Sequence, residues 1–209
     1  MTIARLEARS LTLFRGERAL FRDLSFAVNA GEALILRGPN GVGKTSLLRV
    51  MAGLVLADGG EFFMDEQPPL SAAHRAATLY VGHANALKDE FSAEENLADQ
   101  LALDVIHATR AQHLDALQRV GLLARRRVAA RKLSQGQKRR ISVARLLLSE
   151  RPLWLLDEPS NALDETGVVL FLQTVDVHLA RGGLAVIATH LTLPLRGNVR
   201  ELVMQQAAT

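Results

Sequence analysis

Four short apolar runs punctuate the chain: Ala33–Leu36 (ALIL), Thr78–Val81 (TLYV), Leu153–Leu156 (LWLL) and Leu184–Ala188 (LAVIA). A strand covered on one side alternates apolar and polar residues. Unbroken runs fit strands buried on both faces, the habit of parallel sheets layered between helices. Between the second and third runs, residues 92–148 carry helical periodicity and no comparable strand. The pattern predicts an α/β core interrupted by an inserted helical lobe. No repeat, low-complexity tract or linker rich in Gly, Pro and Ser divides the chain, so one domain over 1–209 is expected, with the core at 1–83 and 149–209 and the lobe at about 84–148.

Composition narrows the chemistry. Apolar residues make up 48% of 209 positions, enough for a sizeable core. No apolar run approaches the roughly 18 residues of a membrane span, and the start MTIARLEARS carries no hydrophobic stretch like a signal peptide, so a cytoplasmic protein is expected. Cysteine is absent, which excludes disulfides, thiolate metal sites, a c-type haem attachment motif and a cysteine nucleophile. The formal charge of +3 is too small to argue for nucleic acid as a partner. Ten basic residues and no acidic one fall between 116 and 149. A solvated helical face is the favoured reading of that run, with lipid headgroups or nucleotide phosphates as alternatives.

Directly after the first strand and before the helix-like SLLRVMAGL stands GPNGVGKT, residues 38–45. That is the pattern and context of a phosphate-binding P-loop. Gly38, Gly41 and Gly43 free the backbone so that the loop through Pro39, Asn40 and Val42 can turn its N–H groups, which proline alone lacks, towards phosphates. Lys44 supplies a charge for the terminal phosphates, the Thr45 hydroxyl is placed to ligate Mg²⁺, and Ser46 can reach a phosphate further in. A glycine-rich turn with an accidental lysine is the bland alternative, and the matching strand and helix argue against it. LWLLDEPS, residues 153–160, delivers Asp157 and Glu158 at the carboxyl end of an apolar strand, where α/β sheets bind ligands. Asp157 suits the magnesium shell and Glu158 a general base that polarises the attacking water. The two motifs define an ATPase or a GTPase and leave the base open.

LSQGQ, residues 133–137, precedes the helical run KRRISVARLLL. Ser134 and Gln137 could simply close a capping box. The same helix N-terminus, with its unpaired N–H groups and positive dipole end, could instead meet a phosphate.

Taken together, the P-loop at 38–45, LSQGQ at 133, LWLLDEPSNALD at 153 and ATH at 188 resemble the ATP-binding subunits of ABC transporters, in order and spacing over nearly the whole chain. LSQGQ resembles that family's signature motif and departs from it by Gln135, where glycine is usual. The resemblance implies a P-loop NTPase fold of the ABC ATPase type: a RecA-like parallel core, an antiparallel β part and a helical lobe. It also implies two copies packed head to tail around ATP and Mg²⁺, with Ser134, Gly136 and Gln137 of one copy closing on the γ-phosphate held by the other. By the same resemblance Phe14 falls where an aromatic ring stacks on adenine, although a core or edge phenylalanine fits the residue nearly as well. Asp164 belongs to the loop joining the two sites, and His190 resembles the switch histidine that touches the γ-phosphate and orients water. His83 stands where the family has glutamine; an imidazole cannot copy a carboxamide oxygen on a hard cation, so a weakened or water-mediated contact is expected there.

YVGHANALKDEFSAEENL, residues 80–97, together with the compact length, resembles the haem-exporter type of ATP-binding subunit from bacterial cytochrome c biogenesis. That implies a peripheral protein on the cytoplasmic face of the inner membrane, paired with an integral permease through residues near 83–97. Its ATP hydrolysis would power haem export or release of a haem-loaded chaperone. No direct haem binding is expected, since the six histidines form no obvious ligand pair. An ABC ATPase for another cargo, a soluble ABC ATPase of cofactor assembly or repair, and an ordinary P-loop kinase remain as rivals, because a fold does not name a cargo.

Overall fold

The computed structural model describes residues 3–65 and 71–206. Chain contacts divide it into two compact units, one of residues 1–80, 151–158 and 176–209, the other of residues 81–150 and 159–175.

The first unit holds both sheets. Strands β1 (Arg5–Arg15), β2 (Arg18–Asn29) and β4 (Gly59–Met64) form an antiparallel sheet in the order β2-β1-β4. Alternating burial along β1 marks a sheet with one wet face, whereas β2 buries Ala19, Leu20 and Phe21 in a row. Five strands make the second sheet, in the order β5-β6-β7-β3-β8: β3 (Glu32–Arg37), β5 (Thr78–Val81), β6 (Leu153–Asp157), β7 (Leu184–Ala188) and β8 (Asn198–Val203). Pairings β3–β7, β6–β7 and β3–β8 are parallel. β6 and β7 are buried at all five positions, as the unbroken apolar runs predict. β8, with its polar sequence NVRELV, is mostly exposed at the sheet edge and has no such run.

Helix α1 (Lys44–Met51) packs on the central strands. Its Leu47, Leu48 and Met51 share one core with Leu34, Leu36, Leu155 and Val186 of the parallel sheet and with Leu6, Leu11 and Phe21 of the antiparallel one. Short helix α2 (Ala72–Ala77) leads into β5 and is capped by the Ser71 hydroxyl, which accepts from His74 N–H.

The second unit is helical: α3 (Ala93–Leu103), α4 (Arg110–Arg119), α5 (Gln135–Leu148) and the first part of α6 (Glu165–Ala180). Capping boxes start α3, α4 and α5, at Ser92/Glu95, Thr109/Gln112 and Ser134/Gln137. Buried Asn96 fastens segment 88–92 to α3, accepting from Lys88 N–H at 2.8 Å and donating to the Phe91 and Ser92 carbonyls. The basic run is partly spent on ion pairs, Arg126 lying 3.6 Å from Glu94 and Lys138 3.3 Å from Asp89, while Arg125, Arg127 and Lys132 lie exposed.

One buried pair in the first unit makes stability depend on pH. The indole of Trp154 on β6 and the imidazole of His178 on α6 stack with centroids 3.8 Å apart and planes within 8°. His178 Nε2 lies 3.1 Å from the Leu184 carbonyl. Burial outweighs that contact and lowers the His178 pKa from 6.5 to about 4. The folded chain therefore keeps this ring neutral where the unfolded chain has already taken up a proton. Stability from this source is complete above pH 6.5 and drains away as pH falls towards 4, by about 3 kcal/mol in all. Urea unfolding followed by fluorescence of Trp154, the only tryptophan, should show the midpoint falling over that interval, and His178→Gln should flatten the fall.

Candidate active site

The carboxyl ends of β3, β7 and β6 stop at one level, since Leu36 pairs with Ala188 and Ala188 with Asp157. Each strand then hands on to a chemically loaded segment. Gly38 to Gly43 follow β3, Glu158 follows β6, and Thr189 and His190 follow β7.

After β3 the loop turns through positive φ at Gly38 (137°), Gly41 (79°) and Gly43 (110°). Residues with a Cβ rarely adopt these angles, and a Cβ at Gly38 would also collide with the Met204 carbonyl. Gly43 is the N-cap of α1 and lies against Leu20 and Phe21 of β2. Pro39, Asn40 and Gly41 are exposed at the loop crest and Val42 is buried beneath it. The Lys44 ammonium, on a largely buried side chain, donates to two loop carbonyls, Gly38 at 2.6 Å and Pro39 at 3.1 Å. Thr45 Oγ1 donates to Asp157 Oδ2 at 2.9 Å, and Ser46 is half-buried one residue on. A hydroxyl and a buried carboxylate within hydrogen-bond reach, beside a cationic amine and a loop of turned-in backbone, are hard oxygen donors of the sort Mg²⁺ and a polyphosphate require. The residues fit both.

Glu158 is a non-glycine residue in the left-handed region, φ 48°, with its N–H bonded to the Ala188 carbonyl at 2.8 Å. This conformation costs of order 1 kcal/mol or more and tends to occur where function demands a turn. It brings the Glu158 carboxylate to 3.1 Å from His190 Nδ1. Most of the Glu158 side chain is buried, while that of His190 is 58% exposed. Tyr80 on β5 lies within electrostatic range of Asp157, and burial raises its pKa above 10, with the Arg49 contact opposing. Phe14 sits near the end of β1, opposite Ala19, two residues from the Phe21 that touches Gly43. The residue is 38% exposed and the Arg22 guanidinium lies 5.3 Å from its ring centre.

The other residues singled out in the sequence fall in the second unit. Ser134 Oγ accepts from Gln137 N–H at 3.2 Å, and Gln137 Oε1 accepts from Ser134 N–H at 3.0 Å. The capping reading of LSQGQ therefore holds, and Ser134 stays exposed. Gly136 faces the loop 159–164: a Cβ there would lie 2.6 Å from the Ala162 carbonyl. Asp164 accepts from Arg140 Nη2 at 2.5 and 2.6 Å and from Gly167 N–H at 3.0 Å; the guanidinium first and that N–H second hold its pKa below the usual carboxylate value. Arg140 also donates to the Thr166 hydroxyl and the Val120 carbonyl. The signature-like helix start and the loop ending at Asp164 are thus one clamped piece. Exposed His83 is anchored through its backbone, where the Gly82 and His83 carbonyls accept from buried Arg139 on α5 at 3.2 and 3.4 Å. Arg139 and Arg140 escaped the sequence reading because a basic pair in a basic run carries no mark of the carbonyls and carboxylate it will meet.

Residues 21–161 match the ABC transporter family. Full-length similarity extends to proteins named cytochrome c biogenesis ATP-binding export protein CcmA. That of Nitrosomonas europaea is 44% identical over 193 residues, 91% of each chain, and that of Methylococcus capsulatus is 44% identical over 207 residues, 97% of this chain and 99% of its relative. Among solved structures, an ABC transporter ATP-binding protein of Pyrococcus furiosus superposes with a TM-score of 0.83 at 23% identity, covering 96% and 98% of the two chains. An ATP-binding cassette in a dimeric post-hydrolysis state, bound to ADP and phosphate, superposes with a TM-score of 0.78 at 24% identity, covering 89% and 88%. These two likenesses speak for the fold.

The contact of Gly136 with Ala162 yields a direct check. Glycine to alanine inside an exposed helix ordinarily stabilises by roughly 0.5–1 kcal/mol. Here the added methyl meets a backbone carbonyl, so Gly136→Ala should destabilise instead, by about 1–3 kcal/mol, read as a fall in Tm of several degrees.

Proposed function

The chain belongs to the ABC transporter family of ATP-binding proteins, and on that premise we propose that it is the ATP-hydrolysing subunit of a membrane complex for c-type cytochrome biogenesis, powering haem export or release of a haem-loaded chaperone. Support for that pathway comes from the 44% identity with export proteins of cytochrome c biogenesis, spread over more than nine-tenths of the chain. The observation that carries ATP hydrolysis is the Glu158–His190 pair standing one residue beyond the Thr45–Asp157 contact at a common strand edge.

In this reading Lys44 exchanges its loop carbonyls for the terminal phosphate oxygens, and the turned-in backbone from Gly38 to Gly43 hydrogen-bonds the rest, with Ser46 further in. Thr45 and Asp157 would hold Mg²⁺, which supplies charge neutralisation on the phosphates. Glu158 accepts a proton from the attacking water, and His190, bonded to that carboxylate, keeps it aimed and presents its other ring nitrogen to the γ-phosphate. Phe14 stacks on the adenine. At His83 the contact with the site is weakened or water-mediated rather than direct metal ligation. A second copy contributes Ser134, Gly136 and Gln137, with the loop at Asp164 between the two sites. ATP binding closes the pair and hydrolysis reopens it, and residues near 83–97 pass the movement to an integral permease. Attachment is peripheral, through the permease at the cytoplasmic face of the inner membrane; among the described residues no helix is long and apolar enough to cross a membrane.

Glu158→Gln should lower ATP turnover by about 10²-fold or more and accumulate an ATP-bound dimer. A nucleotide-bound monomer that hydrolyses at full rate would refute the reading. Ser134→Arg should abolish turnover if the residue meets a neighbour's phosphate, and should shift only Tm if capping is its whole role. Affinity capture through this chain from solubilised membranes should recover an integral subunit, and a complex found wholly in the soluble fraction would exclude the transporter assignment.

A further inference from the structure

The loop bearing His190 leaves the sheet just where its ladder ends. The last β3–β7 pair is Leu36 with Ala188, and the next contact, Thr189 N–H to the Leu36 carbonyl, has stretched to 3.4 Å. Beyond it the carbonyls on either side of His190 lie past the ladder: Thr189 is fully buried, where an unmet carbonyl is costly, while Leu191 is 41% exposed. Both accept from one guanidinium. Arg37 Nη1 donates to the Thr189 carbonyl at 3.3 Å and, more closely, to the Leu191 carbonyl. The opposite edge of the same group, Nε and Nη2, donates to Glu201 Oε1 at 3.1 Å each, and Glu201 stands on β8. Arg37 is itself pinned at the backbone, since Met204 N–H donates to its carbonyl at 2.9 Å, and its side chain is 19% exposed. It immediately precedes Gly38, the first residue of the phosphate-binding loop.

We propose that Arg37 is a positioning residue for ATP hydrolysis: its guanidinium, braced by Glu201, fixes the 189–191 turn so that the His190 ring is held against Glu158, and ties that turn to the start of the phosphate-binding loop. The inference rests on the role given above to His190. Only a planar fork with donors on two edges serves two carbonyls and a carboxylate at once. A lysine ammonium keeps the charge and loses the fork. A residue that sets the angle of a catalytic pair acts on the chemical step and leaves ATP affinity alone, because its contacts do not extend to the Lys44 and Thr45 side chains in this structure.

The test is a double-mutant cycle on ATP turnover of the complex captured from membranes, with Tm and the KM for ATP measured alongside. Arg37→Met should lower kcat about ten-fold or more with KM changed less than about two-fold, and Arg37→Lys should fail to restore it. In a His190→Ala background the same Arg37→Met substitution should have no further effect. Should Arg37→Met not fold, Glu201→Gln, which removes the brace and keeps the arginine, should give a smaller loss of kcat that likewise vanishes when His190 is alanine. A crippling His190→Ala combined with an Arg37→Met that leaves kcat intact, that lowers it equally in both backgrounds, or that only raises KM would overturn the inference and spare the role of His190. Full turnover in His190→Ala alone would remove that role, and this inference with it.

Discussion

Everything chemical in the first unit depends on the shared register of three parallel strands. Leu36, Ala188 and Asp157 stand side by side, so the segments that follow them start from one line. Parallel hydrogen bonding spaces the strands by roughly 5 Å, which sets the distance between the phosphate-binding loop, the acidic pair and the histidine turn before any side chain is considered. The apolar packing is what keeps the register, because both faces of β6 and β7 are buried and a slip would unseat the side chains packed on each. Stability and catalysis share this element: the side chains that exclude water from the sheet also level its edge.

Beyond that edge the backbone leaves regular geometry, and polar groups take over the work of the ladder. Glu158 sits at positive φ, the phosphate-binding loop turns on its glycines, and the 189–191 carbonyls fall to an arginine. Each departure carries strain or an unfilled hydrogen bond that the surrounding strands hold in place. The two side-chain contacts that close the arrangement, Thr45 with Asp157 and His190 with Glu158, join residues 112 and 32 positions apart in the chain. Neither spans a distance that local folding alone would ensure.

In the second unit the same logic serves a different end. The N-terminus of α5 is finished by its own capping box, so its geometry is set before any partner arrives. Arg140 and the close passage of Gly136 by Ala162 then lock that helix start to the loop ending at Asp164. Capping and phosphate recognition, set apart as alternatives for LSQGQ, are physically compatible: a capped helix start presents its remaining N–H groups in a fixed direction.

By itself the sequence determined the elements whose signal is local. Continuous apolar runs marked β3, β5, β6 and β7, and glycines next to Lys44 marked the turn of the phosphate-binding loop, because burial on both faces and positive φ each leave a trace in the residue types used. The acids after LWLL and the histidine after LAVIA were visible for the same reason: a polar residue abruptly ending an apolar strand stands out. β8 and the antiparallel strands gave weaker patterns, being wet on one or more faces. Tertiary structure alone decided which distant groups meet. Arg37 with the Thr189 and Leu191 carbonyls, Arg139 with those of Gly82 and His83, and Trp154 against His178 have no signature in the chain. A backbone carbonyl is the same at every residue, and its need for a donor arises only when the fold strips it of its neighbour.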